Sequence, residues 1–193
     1  VVDQLVAVDN AAATSVKELA TALQKGSVSA QKAGVDLDEL IAYIGTVSSV
    51  TRQSSERIGT AFRTMFARFQ DIKSGAIDST GMSINNVADA LSRVTLASGK
   101  NIEILDRQTG QFRGFSDILS ELYTVWDDLN EIEQANISKA MAGVRQREVF
   151  LTLMENEEMM LILLGEARNS DGLSVDRYAT YLDGLEAAQN RSK

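Results

Sequence analysis

The chain has 193 residues, of which 44% are hydrophobic and 24% are charged, as is typical of a folded protein with one domain of ordinary size. It contains no Cys, His or Pro, which excludes disulfide bonds, cysteine or histidine metal sites and every catalytic triad that uses His. The net charge of -8 disfavours nucleic acids and anionic membranes as partners, because binding to phosphates depends on clustered Lys and Arg.

No stretch of the sequence has the apolar length of a membrane span. The longest strongly apolar run, residues 159–164, is enclosed by glutamates, whereas a span needs about 20 apolar residues. The chain begins with Val1 and Val2 and lacks the basic start of a signal peptide. We therefore expect a fragment of a longer chain, or a processed product, without a membrane span.

The first two predicted helices are marked by their caps. Ser15 with Glu18 predicts the start of a helix that ends near Gly26. Asp36 with Glu39 forms the next capping box and predicts the start of a second helix.

The third predicted helix begins at Ser54 or Ser55, ends near residue 72 and is the most amphipathic. Four arginines lie beside its apolar face, and we expect them to be solvated edges of that face rather than a nucleic-acid site. They are Arg52, Arg57, Arg63 and Arg68. The apolar face itself consists of Ile58, Phe62, Met65, Phe66, Phe69 and Ile72.

The middle of the chain contains the one segment without a helical pattern. Ser83 predicts a short helix that carries Val87 and Leu91. Residues 102–105 and 111–115 then flank a turn-rich loop of hairpin length. The pattern predicts a small β-hairpin at residues 102–115.

The rest of the chain predicts helices again. One begins at Ser116, and the next begins with a capping box at Asn130 and is broken by Gly143. A long helix is predicted from Arg145 to about residue 168, and a last one from Ser174. The predicted fold is mainly α: a single helical bundle domain over residues 1–193, with about seven to eight helices, one small β-hairpin and a flexible joint at 73–83.

The acidic groups of the sequence are better explained as helix caps than as catalytic or metal sites. Asp36, Asp38 and Glu39 lack the loop pattern that supplies a calcium ion with oxygen ligands. The densest acidic group lies where acids favour a helix N-terminus, rather than as the buried pair of a glycosidase. That group is Asp127, Asp128, Glu131 and Glu133. We predict no catalytic, cofactor or metal site.

Arg145 and Arg147 are unusual, because cations are unfavourable at the start of a helix. We expect both to be at least partly buried and bonded to carboxylates or backbone carbonyls, since an unpaired buried guanidinium would be very costly. A contact with a partner protein is the alternative.

Several segments resemble, in order and spacing, the core region of phage tail tape measure proteins. They are SERIGTAFRTMFARF at 55–69, ILDRQTGQFRGFSDIL at 104–119, AGVRQREVFLTLMEN at 142–156 and NSDGLSVDRYATYLDGLEAA at 169–188. The opening VVDQLVAVDNAAATSVKELATALQ is also similar to that family. Val144 departs from the pattern, which has a small hydroxylated residue there. The residues that carry the resemblance as structural or contact positions are Gly59, Arg68, Phe112, Arg113, Gly143, Arg145, Gln146, Arg147 and Phe150.

The resemblance implies a non-enzymatic structural module of a phage or prophage tail. Such a protein is a long, mostly helical, multimeric rod that sets tail length during assembly, occupies the tail tube and leaves ahead of the DNA. The implied partners are other copies, tail tube or tail tip proteins and assembly chaperones, with no cofactor and no specific nucleic acid. The implied location is the virion tail, and the host cytoplasm during assembly. The alternatives are a peptidoglycan-degrading tail domain and a generic helical adaptor.

Overall fold

Helices dominate the computed structural model, which describes residues 1–70 and 113–173 together with positions 87, 90, 91, 102, 106, 108, 109 and 111. They are α1 Val2–Ala11, α2 Val16–Lys32, α3 Leu37–Thr51, α4 Ser55–Phe69, α5 Phe115–Tyr123, α6 Glu131–Glu155 and α7 Glu157–Arg168, with a 3-10 turn at Trp126–Asp128. No strand lies among the described residues. The prediction of a mainly helical bundle is therefore confirmed.

Local capping explains where several helices begin. The Ser15 hydroxyl accepts the Glu18 N–H at 3.2 Å and begins α2. At the start of α3 the capping box is complete, and the Glu39 carboxylate accepts the Asp36 N–H at 2.9 Å. A second complete capping box, at Asn130, begins α6. These starts lie where the sequence predicts them.

The prediction that α2 ends at Gly26 is wrong, because α2 continues to Lys32. Gly26 is buried where α2 crosses α4, and a Cβ at this position would lie 3.6 Å from the carbonyl oxygen of Gly59. Gly26 therefore lies inside the helix at its crossing with α4, at a distance that a methyl group would also tolerate, and does not end the helix. The contact between α2 and α4 is the most extensive between any two of the described elements.

The core is built around the apolar face of α4. Its residues Ile58, Phe62, Met65, Phe66 and Phe69 are all fully buried, as predicted, while residue 72 lies outside the described residues. The Phe115 ring, at the start of α5, packs edge-on against Phe66 and Phe69, with ring centroids 5.1 and 5.5 Å apart. Such perpendicular pairs are favourable beyond the area that they bury.

The second half of the chain differs from its prediction in one respect. Gly143 interrupts α6 with a non-helical φ of 73°, as predicted. The long helix predicted from Arg145 to residue 168 is instead two helices, because α6 ends at Glu155 and α7 begins after Asn156. The Asn156 side-chain amide donates to the Thr152 carbonyl at 2.8 Å and so bonds the last turn of α6.

The predicted β-hairpin at 102–115 is not confirmed, and much of it lies outside the described residues. The described part contains a turn, in which the Asp106 N–H donates to the Gln111 carbonyl at 2.9 Å. The Asp106 carboxylate accepts the N–H groups of Thr109 and Gln108, and these bonds lower the pKa of the carboxyl. Phe115 is not the end of a strand but the first residue of α5, which follows the N-cap Gly114. Its ring is buried in the core.

Other predictions fall on residues that the structure does not describe. These are the joint at 73–83 and the last helix from Ser174. Val87 and Leu91, which the sequence assigns to a short helix, are helical and each 1% exposed.

Candidate functional site at the break in helix α6

Arg68 joins the last turn of α4 to the middle of α6. Its Nε donates to the Ala140 carbonyl at 3.0 Å, and its Nη2 donates to the Lys139 carbonyl at 3.4 Å. Both carbonyls belong to the last four residues before the break, and the last four carbonyls of a helix lack N–H donors within that helix. A guanidinium at this position also lies at the negative end of the helix dipole. Arg68 therefore caps the first half of α6 from a neighbouring helix.

Gly143 provides the break itself. Its φ of 73° and ψ of 172° lie in a region of backbone conformation that is essentially restricted to glycine. A Cβ here would lie 3.4 Å from Nη1 of Arg68, so the guanidinium packs directly against the break. The two residues form one structural unit, in which the glycine ends the helix turn and the arginine bonds the carbonyls before it.

Gly59 has a different role, at the crossing of α2 and α4. A Cβ on Gly59 would lie 2.4 Å from the Ala22 carbonyl oxygen and 2.9 Å from both the Ala22 Cα and the Lys25 Cβ. No side chain fits at these distances from a backbone. Gly59 therefore fixes how closely the two helices approach.

The remaining residues of the resemblance have separate surroundings. Phe150 is fully buried and packs edge-on against Trp126, with ring centroids 6.0 Å apart. The Arg113 guanidinium forms a two-fold ion pair with Glu121, with one N–O distance of 3.1 Å. The Gln146 Oε1 is buried and has no hydrogen-bond partner within the described part of the chain. Phe112 lies outside it.

The prediction that Arg145 and Arg147 are partly buried and bonded is wrong. Both side chains are exposed, and neither bonds to a residue among 1–70 and 113–173. The reason is their position just after the break, where the helix restarts and turns them toward solvent, while Arg68 bonds the carbonyls before it. The alternative explanation for these two arginines, a contact with a partner protein, therefore stays a prediction.

An open groove of about 530 Å³ runs along the second half of α6, beside the two arginines. Leu151 contributes apolar surface to it and packs against the core. Val144, which departs from the pattern of the family that the chain resembles, is 77% exposed at one end of the groove. We call this surface the α6 groove; its lining residues are Val144, Arg145, Arg147, Glu148, Leu151, Thr152 and Glu155.

A polar network between α3, α5 and α7 has no signal in the sequence. The Tyr43 hydroxyl donates to Ser116 Oγ at 2.9 Å, and the Ser116 hydroxyl donates to Glu39 at 2.6 Å. Arg168 bonds Asp38 at 2.6 Å from the end of α7. Burial raises the pKa of the Tyr43 phenol above its ordinary value. Ser116, predicted to cap α5, instead bonds this network, and only the three-dimensional arrangement brings these segments together.

Neither a metal site nor a membrane span is found in the described ranges. No group of acidic side chains there is arranged to hold a metal ion. None of the helices described combines the length and apolar character needed to cross a bilayer.

Comparison with known proteins identifies the family. The family model for phage-related minor tail proteins matches residues 1–143. The chain belongs to this family. The match includes α1 to α5 and ends at the Gly143 break, so in this phage tail protein it covers Arg68 and the two carbonyls that Arg68 bonds. No solved structure matches the chain.

Proposed function

We propose that this phage tail protein is a non-enzymatic structural module of a tail tape measure protein. In this role it contributes to tail assembly and length determination, and it is released ahead of the DNA during ejection. The observation that carries the proposal is the break in α6. The segments at 55–69 and 142–156, which resemble tape measure proteins, meet there through Arg68 and Gly143.

The roles of the motif residues favour a structural rather than a catalytic function. Gly59 permits a close helix crossing, Arg68 caps a helix, Gly143 breaks one and Phe150 fills the core. Each of these roles depends on packing or on backbone geometry. A chain without His or Cys also lacks the commonest nucleophile and base pairs.

The length of the tail tests the proposal directly. Removal of residues 1–193 from the phage gene in frame should shorten the tails seen by electron microscopy. If the module lies in the tail as extended helix, the change should be about 290 Å at 1.5 Å per residue. If it stays folded, the change should be on the order of 40 Å, given a radius of gyration of about 16 Å for a compact chain of this size.

Two outcomes would contradict the proposal. Tails of unchanged length would leave a minor tail protein that does not set length. Release of muropeptides from purified peptidoglycan by catalytic amounts of the chain would instead establish the peptidoglycan-degrading alternative. A control deletion of equal length elsewhere in the same gene would separate loss of length from loss of assembly.

A further inference from the structure

A second open groove, of about 490 Å³, lies between α2 and α4. None of the described residues that line it is acidic, whereas the lining of the α6 groove includes Glu148 and Glu155. We call this surface the α2–α4 groove; its described lining residues are Ser29, Arg63, Thr64, Ala67 and Arg68.

Both arginines of the α2–α4 groove keep their positive charge. Arg68 bonds the carbonyls of Lys139 and Ala140, which are neutral groups. Arg63 is exposed and forms no ion pair with a residue that the structure describes. The single acid of α4, Glu56, lies about 10 Å before Arg63 along the helix axis, which exceeds the Debye length of about 8 Å at physiological ionic strength. No carboxylate of α4 therefore offsets these charges.

Two lysines of α2 extend the positive charge along the groove. Lys25 and Lys32 lie one turn to either side of Ser29, on the same face of the helix. Both are exposed, and neither pairs with an acid in the described part of the chain. The Lys25 Cβ lies beside Gly59 of α4, one turn before Arg63. Two ammonium and two guanidinium groups therefore surround one groove, in a chain whose net charge is -8.

We propose that the α2–α4 groove binds an acidic polypeptide segment of a partner protein. Guanidinium groups bind carboxylates through paired, charge-assisted hydrogen bonds, and the Ser29 hydroxyl can donate to a further carboxylate oxygen. The spacing also fits, because alternate side chains of an extended segment lie about 7 Å apart on one side. Arg63 and Arg68 lie about 7.5 Å apart along the axis of α4.

The dimensions and charge of the chain favour a short acidic segment over a nucleic acid. Lys25 and Lys32 lie about 10 Å apart along α2, which matches about three residues of an extended peptide. A nucleic acid is a long polyanion, so the acids that give the chain its net charge of -8 repel the phosphates outside the groove. A short segment has few charges outside the groove and avoids that repulsion. The inference goes beyond the length-setting role and does not depend on it.

Fluorescence anisotropy of a labelled oligoglutamate peptide, titrated with the purified full chain, tests the inference. We expect saturable binding that weakens as salt is added, because the contacts join exposed charges. Arg63→Glu and Lys25→Glu should each raise the dissociation constant at least roughly tenfold. Both positions are exposed, so both variants should keep the fold, which circular dichroism checks.

Lys17→Glu is the matched control, because it makes the same substitution as Lys25→Glu on the same helix. Lys17 is exposed and lies about 12 Å before Lys25 along α2, outside the groove. Since that distance exceeds the Debye length of about 8 Å, the dissociation constant should change by less than about twofold.

A thiol placed in the groove locates the bound peptide. Because the chain contains no Cys, Ser29→Cys carries a single thiol that reports on the α2–α4 groove alone. Saturating oligoglutamate should remove most of its reactivity toward a neutral maleimide. Val28→Cys is the control, since Val28 is 68% exposed and is not among the lining residues; its reaction rate should not change.

The inference would be overturned if the wild type failed to bind oligoglutamate saturably, or if Arg63→Glu and Lys25→Glu bound it as the wild type does. An equal loss of affinity in Lys17→Glu would also overturn it, as would an unprotected thiol in Ser29→Cys. Tighter binding of an oligothymidylate of equal charge would identify phosphate groups as the ligand instead. All of these measurements use purified protein without phage, so a failure here is distinguishable from a failure of the tail-length experiment.

Discussion

Substitution of Gly59 by Ala isolates the helix crossing that supports the bundle. The added Cβ would lie 2.4 Å from the carbonyl oxygen of Ala22, about 1 Å closer than an ordinary van der Waals contact. The obstructing atoms belong to the backbone of α2 and to the Cβ of Lys25, so no flexible side chain can move aside. The two helices must therefore separate along their most extensive contact.

The expected cost follows from two opposing effects. Overpacking in a close-packed core typically costs about 1–3 kcal/mol, and a backbone obstruction belongs at the upper end of that range. Alanine in place of glycine within a helix recovers at most about 1 kcal/mol. We therefore expect Gly59→Ala to lower the free energy of unfolding by about 2 kcal/mol, which lowers the melting temperature by roughly 4–8 °C for a chain of this size.

Two other glycines provide matched controls for the same substitution. Gly165 lies in α7, and a methyl group added there would have no atom within 4 Å, so Gly165→Ala should raise the free energy of unfolding by about 0.5–1 kcal/mol. Gly26 has its nearest contact at 3.6 Å, so Gly26→Ala should be close to neutral. Urea unfolding followed by Trp126 fluorescence measures all three. A Gly59→Ala protein as stable as the Gly165→Ala protein would refute the geometric argument.

The same unfolding assay checks the remaining predictions. Arg68→Ala should lower the free energy of unfolding by about 1–2 kcal/mol, because it removes charge-assisted bonds to carbonyls at a helix end; an unchanged stability would mean that water replaces them without cost. Gly143→Ala should cost roughly 1–3 kcal/mol through its backbone conformation alone, and a stabilised variant would contradict that account. Burial raises the pKa values of the Tyr43 and Tyr123 phenols, so the unfolded chain loses its phenol protons at a lower pH than the folded chain does. The free energy of unfolding should therefore fall as the pH rises above about 10. Tyr43→Phe should make that fall shallower, and an unaltered slope would refute this account.

The features that the sequence predicts well are local. A capping box needs residues three positions apart, so Asp36 with Glu39 identifies the start of α3 without any knowledge of the fold. The apolar face of α4 follows from periodicity alone, and its buried residues are the predicted ones. The break at Gly143 is also predictable, because a glycine with unfavourable helix propensity separates two apolar stretches there.

The features that the sequence does not predict depend on contacts between distant segments. Gly26 and Gly143 are the same residue type, yet one lies inside a continuous helix and the other breaks one. The difference lies in what packs against each, which is α4 for Gly26 and the Arg68 guanidinium for Gly143. Likewise, the bond from Arg68 to Ala140 joins residues 72 positions apart, and periodicity assigns this arginine only to the edge of a helix face.

The fold explains the identity of some residues in the segment at 142–156 and does not explain the identity of others. Gly143 and Phe150 are explained by backbone geometry and by packing in the core. Arg145 and Arg147 lie at the positive end of a restarted helix, where their charge is unfavourable, and no bond within the described residues offsets that cost. Stability does not account for two such cations beside an exposed valine. No bond within the described residues explains them, so the contact with a partner protein that the sequence leaves open is the remaining explanation.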